Sequence, residues 1–137
     1  MSIRLALSSV LLLALTGCSV SNNSVPGCQS GEVMQQSTLY FGLNRPHGEA
    51  ITRAEWQNFL NDDVTPRFRE GLTVFTAYGQ WLGSNGQVAR EESNALMLIH
   101  RADRKSDRDI EALRTIYKTR FMQESVMRVD NSVCVAF

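Results

Sequence analysis

The chain has no excess of charge of either sign: 14 lysines and arginines stand against 14 aspartates and glutamates in 137 residues. With no net basic field and no long block of like charge, nothing is built to hold a nucleic-acid backbone, and no nucleic-acid partner is expected. Histidine is scarce, with only two present. His47 and His100 lie far apart and show no HxH or HExxH spacing, so no metal is expected. A GxSxG elbow and a glycine-rich phosphate loop are also missing, which leaves no cofactor to expect. Gly42, Gly48 and Gly71 read instead as strand and loop punctuation. No apolar run is long enough for a permanent transmembrane helix, because residues 5–15 fall well short of the ~20 needed. What remains, 20% charged and 43% hydrophobic residues, is the composition of one ordinary globular domain.

The short apolar run is itself informative. Arg4 precedes it, and Leu15-Thr16-Gly17-Cys18 closes it, which makes residues 1–17 a secretory signal. The closing residues resemble the bacterial lipobox, in which the peptidase cuts before a diacylated cysteine. Cys18 is therefore the expected lipid-attachment site; the competing reading is an ordinary secreted protein in which Cys18 is incidental. Acyl chains such as palmitate contribute ~0.8 kcal/mol per buried methylene, and more than one chain makes anchoring stable. Ser19 stands where inner-membrane retention signals typically carry Asp, so the expected address is the outer membrane, facing the periplasm.

Of three cysteines, Cys28 and Cys134 are then left in an oxidising compartment, and a disulfide between them is the simplest reading. Two free thiols or a metal pair are the alternatives, the latter disfavoured by the lack of a local histidine. A Cys-His nucleophile would need one of these thiols free.

Residues 18–36, rich in Ser, Asn, Gly and Gln, read as a tether ahead of a single domain at 37–137. Residues 37–43 alternate as a strand, with Leu39, Phe41 and Leu43 on one face. Thr52 and Glu55 form a capping box for a helix whose apolar stripe is Trp56, Phe59, Leu60 and Val64, and Pro66 ends it. Two β-rich stretches, 72–82 and 90–100, flank the turn sequence GSNGQ and should pair antiparallel. A second helix, capped by Ser106 or Asp107, carries Ile110, Leu113, Ile116, Tyr117 and Phe121 on one stripe. Residues 126–137 alternate as a final strand with Cys134 facing away from the valines.

The order β-α-β-β-α-β predicts an α+β, ferredoxin-like fold: a four-stranded antiparallel sheet with two helices on one face, the first and third strands central. The second and third strands are apolar at both parities, so the face opposite the helices needs a cover. The tether, held there by Cys28 if Cys134 lies on that face, is one cover. A second copy, giving a homodimer through the sheet face, is the other.

At Thr65-Pro66-Arg67-Phe68, Gly71-Leu72-Thr73-Val74, Gly79-Gln80-Trp81, Arg90-Glu91, Tyr117 to Phe121, Gln123-Glu124-Ser125-Val126 and Cys134 to Phe137, the chain resembles the bacterial family DUF 3574, from about Leu39 to the end. The resemblance implies a small exported protein, often a lipoprotein, and supplies no catalytic residue. As a ligand site, Arg67, Gln80, Trp81, Arg90 and Glu91 are the candidates, within a wider cluster of Arg69, Glu92, Arg120, Gln123 and Glu124. Arginine beside an aromatic suits a carboxylate or phosphate. The alternative is that Arg-Glu pairs fix the hairpin and helix ends, with Trp81 in the core. The expected function is a lipid-anchored envelope module that binds a partner or serves structurally, rather than an enzyme. The alternative is a small-molecule enzyme or ligand-binding oligomer on a ferredoxin-like dimer.

Overall fold

The computed structural model describes residues 27–82 and 86–137. The signal segment, Cys18, Ser19 and the rest of the tether up to residue 26, and the first three residues of the GSNGQ turn, lie outside these residues. The elements are β1 (Glu32–Gly42), α1 (Arg53–Phe59) running into a wider π-helical turn (Leu60–Val64), β2 (Thr73–Leu82), β3 (Val88–His100), α2 (Arg104–Phe121) and β4 (Met127–Val135). All pairings are antiparallel. The order in the sheet is β2-β3-β1-β4, the ferredoxin-like arrangement with β1 and β3 central.

Local chemistry accounts for the element boundaries. At the start of α1 the Thr52 hydroxyl accepts from the Glu55 amide at 3.2 Å, and the Glu55 carboxylate accepts from the Thr52 amide at 2.9 Å, the reciprocal capping box. That backbone hydrogen bond, followed by one from Arg45, draws the Glu55 carboxyl down from 4.5 to about 2. The helical segment stops before Pro66, as the missing N–H requires. Two expectations are corrected. The cap of α2 is Asp103, whose carboxylate accepts from the Ser106 amide at 2.7 Å, so the helix starts at Arg104, ahead of the expected caps Ser106 and Asp107. β1 begins at Glu32, within the stretch read as tether, because Glu32 to Gln36 pair with residues 131–135 of β4. Ladder bonds hold a polar segment that its own periodicity does not mark.

The core lies between the helices and one face of the sheet. Phe41, fully buried, meets Trp56 and Phe59 at ring-centroid distances of 5.4 Å each and Tyr117 at 4.6 Å. Leu39, Leu96, Leu98, Ile110, Leu113 and Val126 belong to it as well. The core thus spans Leu39 to Val126, and the chain from residue 27 onward contains all of it.

The register assigns the two faces. Leu39 lies opposite Leu96 and opposite Arg128, and Val74 lies opposite Leu96. Side chains paired in this way share a face, so Arg128, Asp130, Ser132 and Cys134 are on the helix side of β4. This reverses the expectation for the last strand: Val129, Val133 and Val135 are on the open face, and Cys134 is not. The cause is the flank of α2, where Asp107 and Glu111 pair with Arg128 at 2.8 and 2.9 Å. A polar row can face a helix when the helix supplies its partners. Cys28 is bonded to Cys134, with Cα atoms 5.5 Å apart, so the disulfide is attached on the helix side of β4 and not on the open face.

That open face carries apolar residues on all four strands, interrupted by Gln36 and Thr38 on β1, Thr73 on β2, Ser93 on β3 and Asn131 on β4. Phe75 and Trp81 on β2 are 50% and 51% exposed, and Met127 and Val129 on β4 are 56% and 40% exposed. Half-buried Met97, Ile99, Met34, Tyr40 and Val133 lie between them. The β2–β3 hairpin also presents Tyr78, Leu82 and Val88 as exposed residues on its other face.

Candidate functional site

Gln80 and Arg90 are direct cross-strand partners, and the Arg90 Nε donates to Gln80 Oε1 at 2.9 Å. Trp81 and Glu91 have the opposite parity and belong to the open face. Trp81 is paired with Ala89 and Glu91 with Gly79. The Glu91 carboxylate accepts from the Asn44 amide at 2.9 Å and fills the space where a Cβ on Gly42 would stand. Arg67 is at the other end of the sheet, its guanidinium donating to the Asp63 carbonyl at 2.6 Å. The five candidate residues therefore do not converge on one pocket. Gln80 with Arg90, Trp81 with Glu91, and Arg67 occupy three places. Trp81 is half exposed, so it is not a core residue. Arg120 and Gln123 tie helix ends instead, to Asp63 at 2.7 Å and to the Asn44 carbonyl at 2.6 Å.

The Arg67 end has a concavity. Pro66 to Gly71, the end of β3 from Ile99 to Arg101, and Asp103, Lys105 and Ser106 at the start of α2 enclose a cleft of about 450 Å³. His100 lines it and is itself buried. Behind the cleft runs a polar chain. Ser37 donates to Asp130 at 2.5 Å and lies 2.9 Å from His100 Nε2, while His100 Nδ1 is 2.8 Å from the Arg101 carbonyl. Serine here sits between histidine and carboxylate, whereas a nucleophile triad places histidine in the middle. Ser37 is fully buried and its one proton goes to Asp130. The chain therefore joins β1, β3 and β4 and fixes the His100 ring rather than activating a nucleophile. Periodicity contained a trace of it: Ser37 is in phase with Leu39 and Phe41, a polar residue at an inward position.

Partial burial raises the Asp130 carboxyl, but hydrogen bonds from Ser37 and Arg128, with the charges of Arg128 and His100, outweigh it and hold the group below its ordinary 3.8. A carboxyl depressed by folding contributes stability above its unfolded pKa and loses it as pH falls through the folded one. Asp130→Asn is therefore expected to flatten the fall in urea midpoint between about pH 5 and about pH 2. An unchanged slope in the variant would remove Asp130 from the acid response. Tyr117 behaves in the other direction: burial, then the nearby Glu91 charge, pushes its phenol far above the ordinary range. Its hydroxyl remains a donor, to the Gly42 carbonyl at 2.9 Å. Among the described residues, no group of three or more His, Cys, Asp or Glu is placed to hold a metal.

Residues 36–137 match the model of DUF3574, described as a protein of unknown function. The chain belongs to the DUF3574 family. No curated protein sequence matches this DUF3574 chain at a significant level. Solved structures do match. A phage SAM lyase in complex with S-methyl-5'-thioadenosine is similar with a TM-score of 0.56 at 18% identity, covering 82% of this chain and 97% of the lyase. The apo lyase gives 0.58 at 19%, with 80% and 87% covered. CutA from Synechococcus elongatus, complexed with a Bis-Tris molecule, gives 0.50 at 10%, with 77% and 85% covered. At these identities the DUF3574 chain shares a fold with them.

Proposed function

We propose that the protein is a lipid-anchored module of the bacterial envelope, on the periplasmic face of the outer membrane, that works by association through the open face of its sheet, with a second copy of itself as the occupant. The observation that carries the reading is the exposed apolar face. Four strands at ~4.8 Å spacing and nine residues at ~3.3 Å give a face of roughly 19 by 30 Å. That is roughly 600 Å² before side-chain relief, approaching the ~800 Å² per partner of a standard interface. Among its strand positions Glu32 and Glu91 are the only charged residues, so like charges do not bar two such faces from stacking. Anchoring is supported by the Leu15-Thr16-Gly17-Cys18 segment, and export by the disulfide.

Two measurements test the halves separately. Cys18→Ala is expected to move the protein from the membrane fraction to the soluble periplasm after a high-salt wash; continued salt-resistant fractionation would sink the anchor. The chain from residue 27 should sediment as a dimer, and Val129→Lys should shift it to monomer by ~10-fold or more in dissociation constant, since a buried unpaired charge is costly. A wild-type chain that is monomeric at high micromolar concentration would overturn the association.

A second reading, a ligand-binding oligomer or small-molecule enzyme, takes its support from the phage lyase neighbour, whose complex holds S-methyl-5'-thioadenosine. The exposed Trp81 offers a surface on which a nucleoside could stack. Quenching of Trp81 fluorescence by S-methyl-5'-thioadenosine would favour this reading.

A further inference from the structure

The cleft at the His100 end has a charge and a position that belong together. Arg67, Arg69, Arg101 and Lys105 line it against Glu70 and Asp103. The Asp103 carboxylate is engaged in capping α2, and Lys105 is engaged with Asp109 at 2.6 Å. Arg69 and Arg101 have no ion pair among the described residues, and both are exposed at the cleft. Arg67 is held in place by the Asp63 carbonyl. Planar guanidinium groups lining a concavity, here with Glu70 beside them, suit a tetrahedral oxyanion, which they can meet with paired N–H donors.

The position comes from the strand register. Gln35 of β1 lies opposite His100, Glu32 lies opposite Val135, and Thr73 lies near the start of β2 opposite Met97. The beginning of β1, the ends of β3 and β4, and the Cys28–Cys134 bond are therefore at one end of the sheet, the end that carries the cleft. Cys18 and Cys28 are ten positions apart in the sequence, and a chain of that length reaches at most ~36 Å. A lipid on Cys18 would keep the cleft end of the domain near the bilayer surface, where headgroup phosphates are concentrated.

We propose that this cleft binds the phosphate of an anionic lipid headgroup through Arg67, Arg69 and Arg101, so that the domain rests on the membrane with its open sheet face turned sideways. This rests on the anchored reading for the source of the phosphate, not for the chemistry of the cleft. The headgroup holds the cleft end down while the sheet face, whose strands run away from that end, stays available to a second copy.

The test uses the oxidised chain from residue 27, which has no acyl group, with vesicles of phosphatidylcholine alone or with added phosphatidylglycerol. The expected result is co-sedimentation with the anionic vesicles only, released by high salt. Arg69→Gln and Arg101→Gln should each weaken it ~5-fold, the effect of about one cation at a charged surface. Neither side chain makes an ion pair among the described residues, so loss of the fold is not at issue; Arg67→Gln is the stricter third variant. Arg53→Gln, at the start of α1 on the opposite end, should leave binding unchanged. If inorganic phosphate shifts the His100 ring resonances while anionic vesicles do not bind, the cleft belongs to a soluble phosphate and the headgroup assignment falls. Failure of both probes, or equal loss from Arg53→Gln, overturns the cleft as an anion site. Because no acyl chain is present, these outcomes do not depend on the fate of Cys18→Ala.

Discussion

Cys28→Ser is expected to lower the unfolding free energy by about 4–5 kcal/mol, the loop-closure value for a cross-link of this span. The bond joins residues separated by 106 positions, so the reduced chain regains nearly all the freedom of an unlinked one. For a domain of this size the melting temperature should fall by roughly 20 °C. The wild-type chain under reductant should melt with the variant, since both lose the same constraint. Circular-dichroism melts with and without reductant make the comparison. A fall under about 1 kcal/mol would mean that the reduced unfolded chain keeps enough structure to offset the loop-closure gain.

The second large effect is expected in the core. Phe41→Ala should cost about 3–5 kcal/mol, the range for removing a buried aromatic ring. Phe41 is fully buried and its ring contacts those of Trp56, Phe59 and Tyr117. Its loss opens a cavity between both helices and the central strand. Phe75→Ala is the informative contrast. Phe75 is half exposed on the open face, so the same truncation should leave monomer stability nearly intact and weaken self-association instead. Urea titration reads the first effect, and sedimentation over a concentration series reads the second. A Phe75→Ala chain as destabilised as Phe41→Ala would show that the open face is held within its own domain.

These two phenylalanines also show what was legible in the sequence. Inward Phe41 follows from alternation with Leu39, and the element order gives the strand order β2-β3-β1-β4. Apolar residues at both parities of the middle strands announced the exposed face on which Phe75 stands. On the last strand, alternation distinguishes two faces without saying which is inside. Arg128 and Asp130 turn inward only because Asp107, Glu111 and Ser37 receive them, and those partners are distant in sequence. The same distance hid the Ser37–His100–Asp130 chain, whose members come from three strands. The five candidate ligand residues are divided for a different reason. Hairpin register places Gln80 beside Arg90, but neighbours in sequence such as Gln80 and Trp81 point to opposite faces, and Arg67 precedes β2 at its far end.

The disulfide has a mechanical consequence as well. Any pull on the chain ahead of Cys28 enters the domain at a point bonded to Cys134, beside the start of β1. Without the bond, such a tug would load β1 alone and work on its ladder residue by residue from Glu32. With it, the load is divided between β1 and β4, which run antiparallel from that corner and are paired from Glu32–Val135 to Tyr40–Met127. Force is then borne in shear by the ladders of a central and an edge strand together. A domain pulled from the N-terminal side of Cys28 would thereby hang from two strands.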